Sequence, residues 1–416
     1  MTLKNIKLDI DYVRSQFPAF NDPFTKDWSF FENAGGSYVP KSVIDKLTEF
    51  MVTTKVQPYA EYSMSKKAGE NMDKATKLFA QMINAKENEI LIGGSTSINL
   101  YVLSNALKTF ISQGDEIIVT NQDHEANISP WRRLKENGAK IVEWKFNNQN
   151  QELQISDLDK LINNKTKILA VTHCSNIVGS INNLKEISNL AHKNNIIVIG
   201  DGVSYAPHGF PDVKYLDVDF YTFSLYKTYG PHLALLYGKE EILKTLPNQN
   251  HEFLEGNYPY TINPGGPNHE ELVSLIGIYE YFDNLFNHHF KIENITIREK
   301  ISRINNLISD HEEYLANPLL DFLDKDENFF LIGKSKIVDK NRAPTISFIH
   351  KKKSSKDLSN YLIKNNIATR NDNFYAWRCL KSLNIDPEDG VVRISLTHYN
   401  SKNEVDKLIS LLNDFN

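Results

Sequence analysis

Phe220-Tyr-Thr-Phe-Ser-Leu-Tyr-Lys-Thr-Tyr-Gly-Pro-His232 passes from an apolar, β-rich run straight into a lysine set among aromatic and hydroxyl side chains. An ammonium buried there without a partner is costly. The usual response is a depressed pKa that leaves a neutral, nucleophilic amine able to form a Schiff base. Lys227 is therefore the candidate covalent anchor, and the plainer reading is a lysine that snorkels from a strand end into solvent. What weighs against the plainer reading lies upstream.

Gly200-Asp-Gly-Val-Ser-Tyr-Ala-Pro-His208 follows the strongest apolar strand pattern in the chain, residues 196–199. That places Asp201 at a strand end, where an open parallel sheet presents its ligand-binding groups. Pyridoxal 5′-phosphate (PLP) requires a lysine for its aldehyde and a carboxylate opposite its ring nitrogen, because a protonated pyridinium is the better electron sink. Asp201 and Lys227 supply both. The alternative for Asp201 is a turn cap before Gly202.

Outward from this pair, short β-rich runs at 90–92, 117–120, 141–144, 168–172, 196–199, 220–223 and 233–237 alternate with helical spans. The alternation predicts an α/β fold, a large domain with a mostly parallel sheet covered by helices. Helical texture from about 270 to 315 forms the connection onward. Strands near 329–332, 345–350 and 391–396, with helices near 355–365 and 402–414, predict a smaller C-terminal α/β domain. The expected division is an N-terminal segment, 1–25, packing on the small domain, a large domain, 26–290, and a small domain, 291–416. The active site is expected in the cleft where the two domains meet. A short helix within 11–20 is expected to stop at Pro18. Val43, Ile44, Leu47, Phe50 and Met51 recur at helical spacing behind Pro40, and this helix is expected to pack on the sheet.

With 416 residues and ordinary apolar content, the chain can bury a large core. Its net charge of −5 and its lack of basic blocks, apart from Lys351-Lys-Lys353, argue against nucleic acid or a membrane surface as the main partner. Cys174 and Cys379 are the two cysteines, far apart and without a CxxC pair, so neither disulfides nor a zinc site is indicated. A cytoplasmic setting is expected, since residues 1–10 carry no apolar signal core. Gly93-Gly-Ser-Thr-Ser97 lies between a strand and a helical span. Its N–H groups and hydroxyls suit a phosphate, or simply a helix cap.

The chain resembles the fold-type I PLP enzymes of aminotransferase class V, in their cysteine desulfurase-like branch. The resemblance rests on Phe30-Phe-Glu-Asn-Ala-Gly-Gly36, Asp123-His-Glu-Ala-Asn127 with Pro130-Trp131, and Thr172-His-Cys-Ser-Asn-Ile-Val-Gly179. It continues through Asp201 to His208, Ser224-Leu-Tyr-Lys227, Asn268-His-Glu270 and Val392-Arg-Ile-Ser395. It implies that Lys227 anchors the cofactor, that Asp201 holds the pyridinium, and that His124 stacks on the ring and helps to move protons. It implies Asn176 at the phenolic oxygen, and Ser95, Thr96, Ser97, Ser224 and Tyr226 near the phosphate. Arg393 would then hold the substrate carboxylate, with Asn33 and Tyr375 also facing the substrate. A homodimer with a small amino-acid substrate is implied as well.

Three departures qualify this resemblance. Arg370-Asn-Asp-Asn-Phe-Tyr375 puts a tyrosine where the best-known desulfurases carry the thiol that receives sulfur. Ser204 replaces a glutamine or histidine that often supports the phenolic oxygen. Gly266 replaces a threonine that commonly reaches the phosphate of the partner subunit. The expectation is thus a PLP enzyme that cleaves Cβ–S or eliminates a β-substituent without the usual persulfide cysteine, any sulfur-accepting protein being left open. Transamination, epimerisation or other α-carbon chemistry is the alternative, and a non-catalytic binding module of the same fold is a third reading.

Overall fold

The computed structural model describes residues 6–415. Residues 1–5 of the expected N-terminal segment lie outside the described residues. After strand β1 (Ser29–Phe30), seven strands form the central sheet: β2 (Ile90–Gly93), β3 (Glu116–Thr120), β4 (Lys140–Trp144), β5 (Thr166–Thr172), β6 (Ile197–Asp201), β7 (Phe220–Ser224) and β8 (Ala234–Gly238). Their order is β2-β8-β7-β6-β5-β3-β4, and β8 alone runs antiparallel to its neighbours. All seven coincide with apolar runs read from the sequence. Alternate side chains feed opposite layers: Ile117, Val119, Ile168, Ala170 and Phe220 enter one apolar core, and Ile118, Leu169, Val171 and Tyr221 the other. Burial on both faces explains why these strands are unbroken apolar runs rather than alternating ones.

The sheet's order fixes where chemistry can sit. β5, β6 and β7 are adjacent and parallel, so the segments leaving their carboxyl ends, which carry Asn176, Asp201 and Lys227, emerge side by side. At Gly202, a Cβ would lie 2.1 Å from the Tyr221 hydroxyl, so the chain just after Asp201 must be glycine to pass the neighbouring strand.

The smaller sheet is antiparallel, order β12-β13-β10-β9, from β9 (Phe329–Leu331), β10 (Thr345–His350), β12 (Arg370–Asp372) and β13 (Val391–Ser395). Strand β11 (Ile367–Ala368) pairs in parallel with β1. The helix Ile297–Lys325 spans both cores. Its Ile301, Ile304 and Leu307 pack into the larger one, and Leu315, Leu319 and Leu323 into the smaller. A capping box between Thr296 and Glu299 starts this helix.

Two local expectations are corrected. The helix Lys41–Thr53 packs on the helices His269–Ser274 and Ile276–His289 rather than on the sheet, burying Val43 and Phe50 and leaving Ile44 and Met51 exposed. Residues 29–31, grouped by sequence with the large domain, pair instead with the small-domain strand β11, and Phe31 joins the smaller core. The helix Ile10–Ser15 bridges the two parts: Val13 enters the larger core while Arg14 reaches the Tyr399 carbonyl and Glu404. No helix among the described residues is long and apolar enough to cross a membrane.

Candidate active site

A cleft of about 500 Å³ opens over the carboxyl ends of β5, β6 and β7. That is within the usual size range for small-molecule sites. It is lined by Lys227, Asp201, His124, Asn176, Ser204 and Tyr226, and also by Ser95, Thr96, Ser97, Ser224 and Tyr375. Residues named from widely separated motifs thus meet in one space.

Lys227 ends a single helical turn, Leu225–Lys227, that follows β7 directly, so its side chain turns inward and is only 7% exposed. Burial, reinforced by the Arg393 charge, pushes its pKa down to about 8. Asp201, at the end of β6, accepts from the Val203 amide at 2.9 Å, and burial pushes its carboxyl up to about 6. The two act on each other by charge through space, without a hydrogen bond between them. Two buried opposite charges held apart across a cleft suit a group that fits between them.

Around the cleft's other end, Ser95 caps the helix Thr96–Leu107 by accepting from the Ile98 amide. Thr96 Oγ1 and Ser224 Oγ lie 2.8 Å apart, which gathers hydroxyls and free amides at a helix N-terminus, the arrangement that favours an anion. His232 stacks on Tyr226 with ring centroids 4.6 Å apart. It lines the cleft too, although the sequence did not single it out. Its signal was present: five residues after Lys227, it is folded back by the intervening Gly230-Pro231.

His124 accepts from the Ala126 amide through Nδ1, at 3.0 Å, and burial together with Lys227 and Arg393 pushes its pKa down to about 3. The ring is therefore neutral with its proton on Nε2, a donor rather than a base. Asn176 donates from Nδ2 to the Phe374 carbonyl at 2.9 Å, so one of its two amide protons already holds the loop that carries Tyr375. Its Oδ1 is buried without a partner. Tyr375 is 65% exposed, its ring 5.3 Å from that of His124.

Three expected site residues do not line this cleft, one of them, Gly266, at a position that the resemblance assigns to the partner subunit's phosphate. Asn33 is not at the cleft: it donates to the Ser395 carbonyl at 2.7 Å and accepts from the Tyr399 hydroxyl, so its amide ties the N-terminal segment to the strand carrying Arg393. Arg393 does lie in strand β13 as read, but it is 2% exposed beneath Phe374, whose ring centre is 3.6 Å from Cζ, and it does not line the cleft. Gly266 lies on an exposed turn with open space where a Cβ would be.

The residues present fit PLP: an inward lysine, an opposed carboxylate and a hydroxyl-rich helix N-terminus share one cleft. A sequence model of the Aminotransferase class-V family matches residues 29–285 and 296–408. An aminotransferase-like protein, FGM3 of Gibberella zeae, is 35% identical over 99% of both chains. A cysteine desulfurase of Escherichia coli is 29% identical over 96% of this chain and 97% of its own. Among solved structures, the apo form of a cysteine desulfurase from Thermococcus onnurineus NA1 superposes with a TM-score of 0.85, at 25% identity over 100% of this chain and 99% of that one. With the family's match running through every strand that builds the cleft, the chain belongs to the Aminotransferase class-V family.

Proposed function

We propose that this chain is a PLP-dependent enzyme acting on a small amino acid, by Cβ–S cleavage or β-elimination, without a thiol that carries sulfur away. The observation that carries the reading is Lys227, a buried amine near 8 facing a buried carboxylate that it does not touch. Asp201 would hold the cofactor's ring nitrogen, and Thr96, Ser97, Ser224 and Tyr226 its phosphate. When bound, PLP supplies an electron sink for the pair left behind at the amino acid's Cα.

The chain's own residues do the rest. Lys227, with a pKa near the operating range, takes and returns the Cα proton. His124 donates from Nε2. Arg393, which sits behind the cleft wall on the Asn176 carbonyl and acts by charge on both Lys227 and His124, is the cation we assign to the α-carboxylate once Phe374 uncovers it. No thiol is placed to collect sulfur. Cys174 touches the cleft but is 1% exposed, faces the Gly179 carbonyl at 3.6 Å, and is pushed up to about 12 by burial. Cys379 is wholly buried in another core cluster and likewise sits near 12. A thiol held that high is no nucleophile at neutral pH. Exposed Tyr375 occupies the rim instead.

The names of the desulfurase relatives support the sulfur chemistry, and the name of the aminotransferase-like relative supports transamination as the second reading. Product analysis with cysteine, selenocysteine and cysteine sulfinate separates them: Cβ–S cleavage gives alanine and β-elimination gives pyruvate with ammonia, and the absence of both outcomes from all three substrates sinks the first. A visible absorption band that disappears in Lys227→Ala excludes an inert module. The homodimer belongs to the same proposal. It rests on the family resemblance, in which two subunits build the cofactor site, and a monomer on sedimentation would refute it.

A further inference from the structure

Arg393 is buried with two of its approaches already taken. Nη1 donates to the Asn176 carbonyl at 3.3 Å, and the Phe374 ring covers one face. Nε is buried with no hydrogen-bond partner. The Nε and Nη2 edge is therefore the fork left to grip a carboxylate with two parallel bonds. Glu32 Oε1 sits on that edge, 3.4 Å from Nη2, long for a charge-assisted bond. The same oxygen accepts from Arg370 Nε at 3.2 Å.

Backbone geometry delivers Glu32 to this place. A bridge pairs Glu32 with Ser395, two residues past Arg393, and a Cβ on Gly35 would fall on the Glu32 carboxylate. We propose that Glu32 is a resident counter-ion of Arg393, which the α-carboxylate of an arriving amino acid displaces onto Arg370. The proposal rests on the reading of Arg393 as the carboxylate partner.

The exchange is physically balanced. A buried guanidinium without a counter-charge is costly, so an unliganded site needs Glu32. Two carboxylates on one fork repel each other, so a bound substrate needs Glu32 gone. Arg370 is half-exposed and already in contact, so the displaced carboxylate keeps a partner. Asp372, 3.3 Å from Arg370 Nη1, shares that partner and keeps the two positions close in energy. An amine without a carboxylate cannot displace Glu32, so the exchange selects for α-carboxylates.

The test is propionate, a carboxylate without an amine, titrated calorimetrically into the cofactor-loaded protein, with each variant's melting temperature recorded as a folding check. Glu32→Gln is expected to bind propionate about tenfold tighter than wild type, because its competitor is gone. Arg370→Gln is expected to bind it more weakly, and to have no further effect when added to Glu32→Gln, a non-additivity that a merely structural role would not produce. Unchanged or weaker binding in Glu32→Gln, with binding lost in Arg393→Lys, overturns the displacement alone. Unchanged binding in Arg393→Lys overturns the carboxylate reading beneath it.

Discussion

Thr96 Oγ1 and Ser224 Oγ lie 2.8 Å apart across 128 residues of sequence, joining the first turn of a helix to the end of strand β7 three residues before Lys227. The bond holds the hydroxyl-rich end of the cleft at a fixed distance from the amine.

Thr96→Val removes one hydroxyl and leaves the buried Ser224 hydroxyl without its partner. A lost hydrogen bond to a charged group is worth about 1.5–3 kcal/mol. PLP affinity, measured by equilibrium dialysis, is therefore expected to fall roughly tenfold to a hundredfold. Ser224→Ala should do the same. If neither variant changes cofactor affinity, these hydroxyls do not meet the phosphate.

Lys227 destabilises the cofactor-free fold in a way that pH reports. Its folded-state pKa is lowered to about 8 from 10.5, so between those values the unfolded chain binds the extra proton and stability rises with pH. The cost is fully present below about 8 and is relieved as pH approaches 10.5. Lys227→Met should therefore unfold at higher urea than wild type near neutral pH, by at most about 3 kcal/mol, with the gap closing in alkali. A gap that stays constant with pH contradicts a buried ammonium.

Most of the sheet was legible because its strands are apolar runs bounded by turn residues, and burial on both faces leaves no other reading. The short strands β1, β11 and β12 were not, since Arg370-Asn-Asp372 has the composition of a loop and becomes a strand only through pairing with β13. Local sequence likewise brought Lys227 and Asp201 to attention, the family resemblance added His124, Asn176 and Ser224, and each lines the cleft. Asn33 escaped correct placement because Tyr399 and Ser395, more than 360 residues away, take up its amide. The covering of Arg393 by Phe374 depends on a backbone φ of 48° that no sequence pattern announces.

Asp201 separates binding from turnover. In the cofactor-free cleft, burial holds its carboxyl near 6, and a pyridinium beside it would restore the charged form. Asp201→Asn keeps the shape and the Val203 contact but cannot hold the ring nitrogen's proton. Turnover is expected to fall about a hundredfold or more, the scale of losing one preorganised electrostatic partner, with cofactor still bound. Retention of full kcat would mean that Asp201 only caps its turn.

Phe374 and Tyr375 both have positive φ, 48° and 57°, a conformation that costs a side-chain-bearing residue about 1–2 kcal/mol each. The loop persists because it is tied at several points: Phe374 O to Asn176 Nδ2 at 2.9 Å, Tyr375 O to the Glu125 amide at 2.7 Å, and Tyr375 N to Asn373 Oδ1 at 3.0 Å. The strain holds an exposed phenol at the cleft's mouth beside His124, with no core contact in return. Tyr375→Gly adopts the same φ freely but gains unfolded-state entropy, and these effects nearly cancel, leaving stability within about 1 kcal/mol of wild type. What should change is substrate handling, with KM raised several-fold while the visible cofactor band is unaltered. If the variant instead loses stability and keeps its KM, the tyrosine packs the loop and does not meet the substrate.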